Sequence, residues 1–193
     1  MDRKYIEDQL FERINFQEQP FVKGDYEHCV FNQCDFSNTD LSKVKFADCT
    51  FKDCNLSLSK LTGASLQGIR FNDCKMLGLQ FESCNMFGIA FSFHNCQLNH
   101  SSFYKMKIKK TVFKDSKLIE VDFTEADLSA SLFDNCDLDR ATFDNTNIEK
   151  ADFRSALNYT IDPEANRVNK AKFSIFGVAG LLNKYDIIID NTI

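Results

Sequence analysis

Residues 31–51 read FNQCDFSNTDLSKVKFADCTF, and their spacing decides the fold. Every fifth residue is large and apolar: Phe31, Phe36, Leu41, Phe46 and Phe51. The same period runs on without exception through Leu56, Leu61, Leu66, Phe71, Met76, Phe81, Met86 and Phe91. Two positions before each stands a small or modest residue, such as Cys34, Thr39, Val44 and Cys49, and polar residues fill the rest. A helix needs a period of about 3.6 and a strand a period of 2. A period of five fits neither. It fits a coil of short straight pieces and corners, each piece turning two side chains inward two positions apart. A second unbroken run follows from Leu98 to Phe153, so the repeat organises most of the chain.

The units Cys34-Asp-Phe-Ser-Asn38, Thr39-Asp-Leu-Ser-Lys43 and Ala126-Asp-Leu-Ser-Ala130 resemble the pentapeptide-repeat family. The resemblance implies an all-β solenoid, a right-handed quadrilateral β-helix with four pentapeptides per turn, here followed by a short C-terminal helix. Roughly eight coils spaced by about 4.8 Å make a rod of about 40 Å. Three segments are expected. Residues 1–27 form an N-terminal cap (to about 13) and an imperfect first coil, because Gln9, Gln19 and Gly24 are poor inward residues and Pro20 interrupts. Residues 28–173 form the β-helix, with a register break at 91–98 and an irregular coil at 154–173. The break follows from Phe91 and Leu98 lying seven apart, which places a bulge at Ser92–Asn95. Residues 174–193 form a helix capped by Ser174 and a strand at Ile187–Ile189. Gly63, Gly68, Gly78 and Gly88 sit two after the large residue, which predicts corners with positive φ.

Eight cysteines among 193 residues raise the question of disulfides or zinc. Position answers it. All eight fall at the small inward site, where a free thiol is a compact hydrophobe. No metal site and no cofactor is expected. The start of the chain has no apolar run, and no stretch approaches the length of a membrane span, so a cytoplasmic protein without membrane contact is expected. His28, His94 and His100 form no catalytic grouping and no nucleotide-binding glycine loop occurs, so the chain is not expected to be an enzyme.

The formal net charge is −5, which argues against direct nucleic-acid binding. The acids concentrate late in the chain: Asp115, Glu120, Asp122, Glu125, Asp127, Asp134, Asp137, Asp139, Asp144, Glu149 and Asp152, against only Lys117, Arg140 and Lys150 in the same window. Just before them lies a lysine cluster, Lys105 to Lys114, read as a solvated face. The family resemblance implies DNA mimicry: an acidic rod bound by DNA gyrase or topoisomerase IV, opposing quinolone action. The sequence is closer to members without long projecting loops. The alternative is a repeat scaffold for a different cytosolic protein. Phe176, Leu181, Leu182, Ile187 and Ile189 are more apolar residues than a simple cap needs, and a homodimer through that C-terminal end is expected.

Overall fold

A computed structural model describes residues 3–189. The chain winds into a right-handed quadrilateral β-helix. Two of its faces carry regular parallel sheets. One sheet consists of β1 (Lys4–Glu7), β3 (Gly24–Glu27), β5 (Lys45–Ala47) and β7 (Ser65–Gln67). The other consists of β2 (Leu10–Glu12), β4 (Val30–Asn32), β6 (Thr50–Lys52), β8 (Ile69–Asn72), β9 (Phe91–His94), β10 (Val112–Lys114) and β11 (Leu132–Asp134). The remaining faces pair through one residue per coil, as in Asn15↔Asp35↔Asn55↔Lys75 and Ser102↔Asp122↔Thr142. We number the faces by their inward columns. Face I carries Phe11, Phe31, Phe51, Phe71, Phe93, Phe113, Phe133, Phe153 and Phe173, and faces II, III and IV start their columns at Phe16, Phe21 and Ile6.

The core explains the composition. Rings of face I stack directly from coil to coil, with centroids 4.8 Å apart for Phe31–Phe51, 5.2 Å for Phe93–Phe113 and 4.5 Å for Phe133–Phe153. Rings on adjacent faces meet edge-on, as Phe103 and Phe113 do at 85°. Both geometries suit the aromatic quadrupole. The corners have positive φ two residues after the inward centre, at Gly63 and Gly68 as expected, but equally at Asn38, Leu58, Ala130 and Lys150. The corner therefore demands the left-handed conformation whatever the residue, and glycine only makes it cheaper.

The small inward position has a second duty. Its side chain donates to the carbonyl of the inward centre one coil below: Cys54 Sγ to Phe31 O at 3.3 Å, Ser59 Oγ to Phe36 O at 2.8 Å, and Thr146 Oγ1 to Phe123 O at 2.9 Å. Cys, Ser and Thr thus recur there because they are both small and able to donate. All eight thiols are free and buried. Burial pushes the thiols of Cys49, Cys84 and Cys136 up to about 12. Native protein should therefore show almost no reaction with Ellman's reagent near neutral pH and eight equivalents after denaturation. Fast titration of several thiols in the native state would contradict this packing.

Three expectations are corrected. Residues from Lys4 onward do not lie across the end as a cover. Lys4↔Gly24, Leu10↔Val30 and Asn15↔Asp35 put them in register with the next coil on three faces, the stretch around Pro20 staying unpaired among the described residues as the imperfect part of that coil, and Gly24 is needed because a Cβ there would collide with the Lys4 carbonyl. The register break precedes 91–98. Pairing runs at an offset of 20 in Ser65↔Asn85 and of 22 in Ile69↔Phe91 and Phe71↔Phe93, so the two additional residues enter between Asn85 and Phe91. Phe93, not Phe91, is the inward centre, and the residues left outside are Met86 and Phe87. At the C-terminus the helix is of the 3₁₀ type, at Ile175–Leu181 and Asn183–Tyr185. Ser174 makes no side-chain cap, and no strand forms at Ile187–Ile189.

This 3₁₀ segment sits on the last coil. Gly180 accepts from the Ile161 amide at 2.9 Å, and a Cβ at Gly180 would strike the Tyr159 carbonyl. Lys184 clamps the segment to Asp162 at 2.8 Å and to Glu164 at 2.5 Å, and the Tyr185 hydroxyl donates to Glu164 at 3.0 Å. Lys184 holds both carboxyls below their usual range, with Tyr185 adding to the effect on Glu164. A carboxylate lowered in this way stabilises the fold above its unfolded pKa and loses that contribution as pH falls through the folded value. Acidification from neutral to below the ordinary carboxylate range should release 175–185 before the coils unfold. Amide hydrogen exchange localised to that segment checks this, and equal protection at neutral and acid pH would sink it.

Candidate partner-binding surface

The eleven acids expected to meet a partner are distributed around all four faces. Asp134 and Asp152 lie on face I, Asp137 and Asp139 on face II, Asp122 and Asp144 on face III, and Asp127 and Glu149 on face IV. Asp115, Glu120 and Glu125 occupy corners, each with positive φ. Seven of the eleven lie within 3.9 Å of a lysine or arginine: Glu120, Glu125, Asp127, Asp134, Asp139, Glu149 and Asp152. Their partners mostly come from the neighbouring coil, as in Lys105–Glu125 at 3.4 Å and Arg140–Glu120 at 2.8 Å. A local count of charge misses these pairs because cation and anion are about one coil apart in the chain. The Arg154 guanidinium beside Asp152 holds that carboxyl below its usual value.

Asp115, Asp122, Asp137 and Asp144 have no such cation among the described residues. Two of them, Asp122 and Asp144, share face III with Glu125 at its edge. Glu82 lies on the same face two coils below Asp122. Burial raises the Glu82 carboxyl, and the negative charge of Asp122 adds to the effect. Face III is therefore where uncompensated carboxylates converge. Their backbone role is local. Asp122 Oδ1 accepts the Thr124 amide at 2.8 Å, and asparagine does the same job at Asn55, where the Ser57 amide donates at 3.2 Å. The turn needs an acceptor, not a charge.

The three histidines are not brought together. His28 and His100 occupy different corners, the latter 3.1 Å from Glu120, and His94 closes β9. Among the described residues no group of three or more His, Cys, Asp or Glu side chains is placed to hold a metal ion. No described helix is long and apolar enough to cross a membrane. A hollow of about 550 Å³ opens at the N-terminal end between Ile6, Phe11, Phe16 and Phe21. At the other end Phe176 is 94% exposed while Leu181 packs on its own core, and Leu182 is half-buried with Ile187 and Ile189 exposed.

The profile of the pentapeptide repeat region matches residues 24–92 and 80–160. This chain belongs to the pentapeptide-repeat family. Comparison with curated protein sequences finds no match. Among solved pentapeptide-repeat structures, the fold is similar to that of a trypsin-treated variant of QnrB1, described as a plasmid-mediated fluoroquinolone resistance protein. The TM-score is 0.76 at 19% identity, covering 99% of this chain and 96% of that one. Full-length QnrB1 aligns with a TM-score of 0.63 at 19% identity, covering 95% and 100% respectively. These likenesses establish the shared repeat architecture.

Proposed function

We propose that this pentapeptide-repeat protein is a non-catalytic cytoplasmic binding protein, an acidic rod that takes the place of DNA in the gate of DNA gyrase or topoisomerase IV and so opposes quinolone action. The observation that carries this reading is the convergence of Asp122, Glu125 and Asp144 on one face of a stiff rod, two of them without a cation. Duplex DNA presents about one negative charge per 1.7 Å. Carboxylates repeating at the coil spacing of about 4.8 Å offer a sparser but regular counterpart. Recognition is charge against charge, with no bond made or broken. The architecture shared with QnrB1, a fluoroquinolone resistance protein, supports the same reading. The test is titration of the purified protein into a gyrase supercoiling assay, with and without a quinolone, at two salt concentrations. Salt-sensitive inhibition or rescue from the drug is expected. No effect well above the enzyme concentration would leave the second reading, a repeat scaffold for another protein. The neutralisation of seven of the eleven acids favours that second reading.

We place the homodimer contact at the C-terminal end, with Phe176 as its anchor because it is almost wholly outside its own fold. Phe176→Asp should give a folded monomer by light scattering at concentrations where the wild type is dimeric. A wild type that is monomeric, or a variant that stays dimeric, removes this interface.

A further inference from the structure

The two-residue insertion opens a seam in face IV. Between the later coils of this face regular backbone bonds run: Asp127 N donates to Met106 O at 2.8 Å, Ile108 N to Asp127 O at 3.0 Å and Lys110 N to Ser129 O at 3.0 Å. One coil earlier the equivalent donors are Lys107, Met86 and Gly88, and among the described residues their amides have no protein acceptor. Among those residues Asn85 pairs only downward, with Ser65, and Lys107 only upward, with Asp127. A hollow of about 280 Å³ lies between Ile89–Phe91 and Lys107–Thr111. Beside it Phe87 is 80% exposed, held by Gln67 Nε2 donating to its carbonyl at 3.1 Å. Unpaired strand backbone and an exposed aromatic ring are both costly unless something covers them.

The surrounding charge says what covers them. The lysine cluster borders this seam. Lys105 and Lys109 are engaged with Glu125 and Asp127, at 3.4 and 3.2 Å. Lys107 and Lys110 are exposed and take part in no ion pair among the described residues. On a rod of net negative charge, this is a local patch of the opposite sign joined to an apolar anchor point.

We propose that the seam is a docking site for an extended acidic peptide segment of a partner protein. The segment adds its backbone to the open rungs at Met86, Gly88 and Lys107. Because side chains alternate along a strand, acidic residues on one side meet Lys107 and Lys110 while apolar residues on the other pack against Phe87. This site is on face IV and takes a partner opposite in charge to that proposed for face III, so the two stand or fall separately.

The probe is a short fluorescein-labelled peptide of alternating glutamate and leucine, followed by fluorescence anisotropy. The control is the same peptide with lysine for glutamate, and a DNA duplex reports on phosphate binding. The acidic peptide should bind, the basic one should not, and K107E/K110E and Phe87→Ala should each weaken binding by at least about tenfold. These side chains are exposed, so unchanged melting curves are expected of the variants. Hydrogen exchange supplies an independent readout: the amides of Met86, Gly88 and Lys107 should exchange fast in the free protein and become protected with peptide. Absence of peptide binding, binding unaltered by the substitutions, or preference for the DNA duplex would overturn the proposal.

Discussion

Phe113→Ala is expected to destabilise the protein by about 3–5 kcal/mol, the range for emptying a buried aromatic site. Phe113 is fully buried and stacks on Phe93 at 5.2 Å and on Phe133 at 4.9 Å, so truncation removes two ring contacts as well as buried area. Each stacked contact contributes about 0.5–1.5 kcal/mol beyond its area. In a solenoid, stability is carried by nearest-neighbour interfaces. A gap at the middle coil should therefore separate the unfolding of the two halves, seen as a broadened or two-step urea transition by circular dichroism. Phe87→Ala, with its ring 80% exposed, should shift stability by less than about 0.5 kcal/mol. Equal losses from the two substitutions would refute the stacked core.

The second large effect concerns the proposed function. Asp122→Asn, Glu125→Gln and Asp144→Asn together should reduce inhibition of gyrase supercoiling by about a hundredfold or more. Close charge pairs at interfaces couple by about 1.5–7 kcal/mol each, and three are removed. The fold should survive, because asparagine already fills the Asp122 position at Asn55 with the same backbone contact. Asp134→Asn with Glu149→Gln is the control, since those carboxylates lie on faces I and IV and are paired with Lys114 and Arg167. Full inhibition by the triple variant with an unchanged melting curve would exclude face III as the contact.

The five-residue period, the two inward positions per unit, the buried thiols and the positive-φ glycine corners were all legible from residues near one another in the chain. Burial in a coil recurs locally, and each unit repeats the same geometric problem. Partnership was not legible, because it joins residues about 20 apart. The window from Asp115 to Asp152 holds eleven acids against three bases, and the cations that neutralise several of them, Lys105, Lys114 and Arg167, stand one coil away. Gln9 and Gly24 are poor inward residues in the sequence, yet the Gln9 carbonyl accepts from the Val30 amide and the missing Cβ of Gly24 is what lets Lys4 pair beside it. The insertion showed in sequence only as an interval of seven between Phe91 and Leu98. Nothing local separates a bulge before Phe91 from one after it, since Phe91 and Phe93 suit an inward position equally. The stack of Phe93 on Phe71, at 5.3 Å and 8°, chose between them. Sequence periodicity thus determined that this chain is a coil and which side chains fill it. The contacts between coils decided where the register shifts, which charges remain free and where an edge stays open, because those depend on what lies one turn away.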